Sequence, residues 1–167
     1  MSKRFVALLL AAAMVLGMST TSFAASKTKK IDTARSAPLS LVEAIELVEQ
    51  RMKGSVYEAE LDRKSKRDIY EMYVVVNSSV YEVYVDIRDG KLIKQSLENK
   101  KPVRLGKPLT EIIEIAVKKQ PGVPYEAECK TKKKKPVCEI EVVANNDDVY
   151  EITIDGNTGD ILSLELD

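Results

Sequence analysis

The sequence predicts an α+β protein of two tandem repeats, each one helix followed by an antiparallel sheet of three or four strands. Three observations predict it. First, the chain matches itself at an offset of 68 positions. Leu41, Glu43, Ile45, Glu46, Gly54, Tyr57, Glu58, Ala59, Glu60, Glu71, Val74, Val75 and Asn77 meet the same residue types from Leu109 to Asn145. After one extra residue in the second copy, Tyr81-Glu82, Asp86, Gly90 and Leu97 meet Tyr150-Glu151, Asp155, Gly159 and Leu166. A self-match of this kind marks two copies of one folding unit. Second, the apolar period in each copy runs at 3.6 and then switches to 2, the change from helix to half-buried strand. Third, glycine, proline and asparagine punctuate the strand-like segments where turns are needed.

The elements follow in order. Lys3 and Arg4 precede a mostly apolar run from Phe5 to Met18, and Ser22-Phe23-Ala24 supplies the small residues that a signal peptidase reads. Residues 1–24 are therefore expected to be a secretory signal peptide. The apolar run is shorter than the ~20 residues of a membrane span. No stable membrane anchor is expected, and the protein should be exported to the periplasm or extracellular medium of a bacterium. Residues 25–37, polar and basic, read as a flexible leader.

The first repeat is expected over 38–98. Ser40 and Glu43 have capping-box spacing, and Leu41, Ala44, Ile45, Val48 and Met52 recur at helical spacing. Gly54 should end this helix in a left-handed conformation. Tyr57, Ala59 and Leu61 then alternate with Glu58 and Glu60, and further strands are expected at 69–77, 80–87 and 92–97. Residues 99–106 form a short linker. The second repeat, 107–167, repeats the pattern. Its helix carries Leu109, Ile112, Ile113, Ala116 and Val117, with Glu111 early and Lys118 and Lys119 late, which suits the helix dipole. Pro121-Gly122 stops it, and strands are expected around Tyr125–Cys129, 137–145, 149–154 and 161–166. Each unit is near the lower size limit for an independent core, so the copies should pack together or carry a covalent staple.

The segments VYEVYVDIRDGKLI and VYEITIDGNTGDIL, each following a helix and a Tyr-Glu-Ala-Glu strand, resemble PepSY domains. The resemblance covers roughly 38–98 and 107–167. The first copy departs from the pattern at Asp89, where the family usually has threonine before the glycine. Such domains occur in propeptides of thermolysin-type metallopeptidases and in small secreted bacterial proteins, often in tandem. The resemblance implies a role in restraining or modulating peptidases.

Residue chemistry points away from catalysis. The chain has no histidine and no tryptophan. This excludes a Ser-His-Asp triad and a His-based zinc motif, and removes the commonest general base. No glycine loop suited to phosphate is present, and the many glutamates single out no acid–base pair. No catalytic residue, cofactor or metal ligand is expected. Asp155-Gly156-Asn157-Thr158-Gly159-Asp160 resembles a calcium loop in composition, but lacks glycine at the sixth position and glutamate at the twelfth. It reads as a polar hairpin turn.

Two features remain. Cys129 and Cys138 replace Leu61 and Tyr70 of the first copy, positions expected to face each other across a hairpin. A secreted chain meets oxidising conditions, so a cross-strand disulfide is expected. Its loop of about ten residues should be worth ~2–3 kcal/mol. The hairpin tips are basic in both copies: Arg63, Lys64, Lys66 and Arg67 in the first, Lys132, Lys133, Lys134 and Lys135 in the second. They are candidate docking residues for an anionic partner, although lysine-rich tips also serve simply as solvated loops that discourage edge aggregation. The formal net charge of +0 and the lack of interleaved aromatic residues argue against nucleic acid. The sequence therefore reads as a non-enzymatic secreted protein that binds and modulates, by inhibition, a peptidase or other envelope protein. The alternative is an envelope binding or sensor module that recognises an anionic ligand through the tips. Oligomeric state is not legible.

Overall fold

The computed structural model describes residues 20–167. Residues 1–19, most of the expected signal peptide, lie outside the described residues. Three helices and eight strands are formed among the described residues: α1 (Thr20–Ser36), α2 (Leu41–Met52), β1 (Ser55–Lys64), β2 (Arg67–Val76), β3 (Ser79–Asp86), β4 (Leu92–Glu98), α3 (Leu109–Lys119), β5 (Val123–Lys132), β6 (Lys135–Val143), β7 (Val149–Asp155) and β8 (Ile161–Leu166).

The expectation of a separate sheet for each repeat is corrected. All eight strands form one antiparallel sheet in the order β4-β3-β2-β1-β5-β6-β7-β8. The physical reason is the inner edge. A meander that begins at β1 or β5 leaves that strand with a row of unpaired backbone groups. The two first strands satisfy each other, through Glu58↔Glu128, Ala59↔Ala127 and Glu60↔Glu126. Ala59 and Ala127 are equivalent in the repeat, so the two halves meet about a local pseudo-two-fold axis.

Helices α2 and α3 both pack on one face of this sheet and touch each other. Leu41, Ala44, Ile45 and Val48 of α2 and Leu109, Ile112, Ile113 and Ala116 of α3 are buried. Beneath them lie Ala59, Leu61, Met72 and Val83 from one repeat and Ala127, Ile140, Ile152 and Ile154 from the other, all in one apolar cluster. The core is thus shared, which answers the small size of each unit.

The helix ends differ between copies. Ser40 Oγ accepts from the Glu43 amide at 3.3 Å, and the Ser40 amide donates to Glu43 Oε2 at 2.9 Å, completing the capping box. The equivalent position in α3 is Pro108, which offers no side-chain cap. The expected left-handed Gly54 is also corrected: the left-handed residue is Lys53, with φ 53°. Gly54 is required for close approach instead, because a Cβ there would meet the Val75 carbonyl oxygen at 2.6 Å. Its equivalent, Gly122, stands against the Val143 carbonyl in the same way.

Strict alternation fails at Tyr57 and Tyr125. Each sits at a β-bulge, between Val56 and Glu58 or between Pro124 and Glu126. A bulge adds one residue and re-aims the side chain. Tyr57 leaves the main core and joins Val75 and Val80 in a second cluster, roofed by Val103 and Leu105 of the linker. The linker is therefore a packed strap, and the amides of Gly106 and Lys107 both donate to the Gly156 carbonyl, at 3.0 and 3.3 Å.

The expected flexible leader is helical, as the C-terminal part of α1. Ile31 and Ala34 are buried in the core cluster, and Arg35 pairs with Asp147 at 2.6 Å. A polar, basic composition suggested solvation. The tertiary structure supplies an acidic surface for those basic groups to cover.

Candidate functional site

The face of the sheet opposite α2 and α3 carries the charge. Because strand residues alternate, each glutamate that follows a core residue points to this face. The registers then line these glutamates up across strands. Glu71, Glu60, Glu126, Glu141, Glu151 and Glu165 are successive cross-strand partners on β2, β1, β5, β6, β7 and β8. Six carboxylates in one row, with strands ~4.8 Å apart, place like charges directly opposite, which is unfavourable. A neighbouring row holds Glu82, Tyr73, Glu58, Glu128 and Glu139.

The structure offsets this repulsion in two ways. Lysines insert between the carboxylates. Lys30 of α1 lies 2.7 Å from Glu126 and 3.6 Å from Glu60, at the centre of the longer row. Lys64 lies 2.6 Å from Asp62 and 3.0 Å from Glu71. Lys130 pairs with Glu128 at 2.6 Å and Lys132 with Glu139 at 2.5 Å. Lys94 pairs with Glu82, which also accepts from Ser96 Oγ at 3.2 Å. The carboxylates also hold their protons more tightly. Burial, reinforced by neighbouring Glu128 and Glu60, pushes Glu58 up to about 7. Burial likewise raises Glu60, Glu141 and Glu151, with adjacent acids adding to the effect.

Among the described residues, Glu60, Asp62 and Glu71 form one carboxylate group with the spacing of a cation site. The Lys64 ammonium already pairs with two of the three. A metal ion would have to displace it. The calcium-like segment is a hairpin turn, as its sequence predicts. Asp155 Oδ1 accepts from the amides of Asn157 and Thr158 at 2.8 and 3.2 Å, and Gly159 has φ 82°. In the first copy Arg88 takes the corresponding place. It donates two side-chain hydrogen bonds to Asp86, and that contact holds Asp86 down at about 2.

Cys129 and Cys138 are directly opposed on β5 and β6, both buried, and joined as a disulfide. The hairpin register that makes Leu61 and Tyr70 partners in the first copy makes these cysteines partners in the second.

The basic tips stand differently. Arg63, Lys64, Lys66 and Arg67 flank the β1–β2 turn, and Lys132 to Lys135 flank the β5–β6 turn. Because β1 and β5 are antiparallel, the tips project from opposite ends of the sheet. Counting strand rise outward from Ala59 and Ala127, they lie roughly 40 Å apart. They form no common surface. Arg63 pairs with Asp68 at 3.3 Å, and Lys64 and Lys132 are engaged as above. Neither repeat alone shows the glutamate row. Its signal was present in the equivalent Tyr-Glu-Ala-Glu strands, but the rows join only once β1 meets β5.

The fold and surface define a class: a two-repeat α+β protein with one shared core, a charged face partly covered by α1 and two free sheet edges. The chain belongs to the PepSY family, described as peptidase propeptide and YPEB domain, which matches at residues 38–96 and again at 107–165. No curated protein matches the sequence. A crystal structure of a candidate lipoprotein from Clostridium difficile 630 is similar, with 17% identity over 77% of this chain and 93% of that one and a TM-score of 0.47.

Proposed function

We propose that this is an exported, non-enzymatic protein that binds and modulates a peptidase or another envelope protein by stoichiometric occlusion. The observation that carries the reading is the double match to a family described by its occurrence in peptidase propeptides. The means available to the fold support it. The sheet ends in open strands at β4 and β8, and exposed strand edges pair readily with extended peptide. No helix among the described residues is long and apolar enough to cross a membrane, and the amino-terminal residues 1–24 have the composition of an export signal.

The test is a titration against peptidases from the envelope fraction of the same cell. Inhibition should saturate near a fixed molar ratio and survive replacement of any single exposed carboxylate. Proline at Val83 or Ile152, both fully buried in interior strands, should abolish it together with the fold. Many turnovers of substrate per molecule, or loss of activity from one carboxylate change in a folded protein, sinks this reading.

One observation favours a second reading. Lys133 and Lys134, at the β5–β6 turn, are exposed and have no ion pair among the described residues. They are available to an anionic ligand. Replacing Lys133 and Lys134 with serine should then weaken binding and flatten its salt dependence. Unchanged affinity for anionic vesicles across a salt series leaves the tip a solvated turn.

A further inference from the structure

The two outer strands of the sheet occupy equivalent places in the two repeats, and their sequences have diverged in one direction. On β4, Lys94 and Gln95 sit at the middle of the edge; on β8 the equivalent residues are Ser163 and Leu164. A lysine on an edge strand guards against pairing with another chain. Lys94 is also tied to Glu82 and lies 4.4 Å from the Tyr84 ring centroid. The second repeat has lost that lysine and gained an aliphatic residue. The gained residue is Leu164: β8 exposes Ile161, Leu162, Leu164 and Leu166, whereas β4, with aliphatic residues at the other three positions, exposes Ile93 and Leu97. Leu164 and Leu166 partner Ile152 and Tyr150. They therefore extend the helix-covered apolar face out to the rim.

We infer that the β8 edge is a self-association surface, on which a second copy of this chain adds its own β8 in antiparallel register about a two-fold axis at Leu164. The occupant follows from complementarity. With Leu164 opposite itself, Glu165 faces Ser163 of the second copy, and Leu166 meets the bulge at Leu162, the extra residue between Ser163 and Ile161 on β8. Leucines then gather on one face, and no like charges are opposed. A slip of one residue, centred on Glu165, would set Glu165 against its own copy and join the two glutamate rows end to end. A slip the other way, centred on Ser163, gives an overlap of equal length but sets Glu165 opposite Ile161 and leaves Leu166 without a partner. Register is thus specified by Glu165 together with the leucines. This arrangement repeats what the chain does internally, where β1 and β5 meet about a pseudo-two-fold axis through equivalent residues. Because the guarded β4 edge differs from β8, the association closes at two copies. A head-to-tail contact between unlike edges would instead run on as a filament.

The test exploits the self-opposed position. A contact between two short strands lies below the ~1,200 Å² of a stable complex, so sedimentation equilibrium of the mature, disulfide-bonded protein should run from about 20 to about 500 µM. The wild-type protein should move toward twice its monomer mass over that range. Leu164→Lys and Leu164→Glu each place like charges opposite one another and should stay monomeric. An equimolar mixture of the two should recover a heterodimer, with an affinity at least tenfold above either alone. Recovery in the mixture also shows that both variants are folded. A wild-type mass that stays monomeric at the highest concentration overturns the inference. So does a mass that rises past the dimer, or dimerisation of the single variants. A monomer that instead takes up an extended apolar peptide at β8 would assign the edge to a foreign strand and also overturn it.

Discussion

Ala59 on β1 lies directly opposite Ala127 on β5, and each is the other's equivalent in the repeat. Both side chains are fully buried beneath the helices. Only small side chains at this pair let α2 and α3 share one core over the join. The same pairing fixes the glutamate rows on the other face and sends the basic tips to opposite ends.

The join should tolerate no added bulk. Ala127→Leu inserts three carbons where both helices converge, and overpacking of this kind costs typically 1–3 kcal/mol. Urea unfolding should show that loss with a single transition, because the repeats share a core. Two separate transitions in the wild-type protein would contradict the shared core.

The cap difference gives a paired test. Ser40→Ala removes a complete capping box and should cost about 1 kcal/mol. Pro108→Ser should do the opposite, since Glu111 already stands three residues on, and should add a few tenths to about 1 kcal/mol. Thermal midpoints of the two variants should move in opposite directions.

The disulfide should be complete and stabilising. Thiol titration of the denatured, unreduced protein should find no free thiols. Reduction, or the double change Cys129→Ala and Cys138→Ala, should lower stability by about 2–3 kcal/mol. Two reactive thiols in protein isolated without reductant would contradict it.

The pH dependence should lean to the acid side. Glu58 is raised from 4.5 to about 7 in the fold, so between those values the native state binds more protons than the unfolded chain. Stability is therefore greatest near and below pH 4.5 and falls as pH rises through about 7. Glu60, Glu141 and Glu151 are raised as well and act with the same sign. Asp86 acts oppositely: held at about 2 by Arg88, it contributes above pH 4 and is lost as pH falls through 2. Stability measured by urea midpoint should peak between about pH 4 and 5. Glu58→Gln should flatten the decline toward neutrality. A flat profile from pH 4.5 to 7.5 would show that the lysines cancel the rows completely.

The sequence by itself determined each repeat: helix, meander, turn glycines and the cysteine pair. Those are set by local periodicity, by turn stereochemistry and by a register shared between copies. Ser40-x-x-Glu43 and the Leu61–Tyr70 to Cys129–Cys138 exchange were readable without any long-range contact. What only the tertiary structure decided is how the copies meet. Three residues on each of β1 and β5 join two meanders into one sheet, and no sequence pattern marks an edge as chosen for pairing. Helix α1 was hidden for the same reason. Its own residues are polar, and it is held by Ile31, Lys30 and Arg35 against a core, a glutamate row and the Asp147 turn that exist only after the rest has folded.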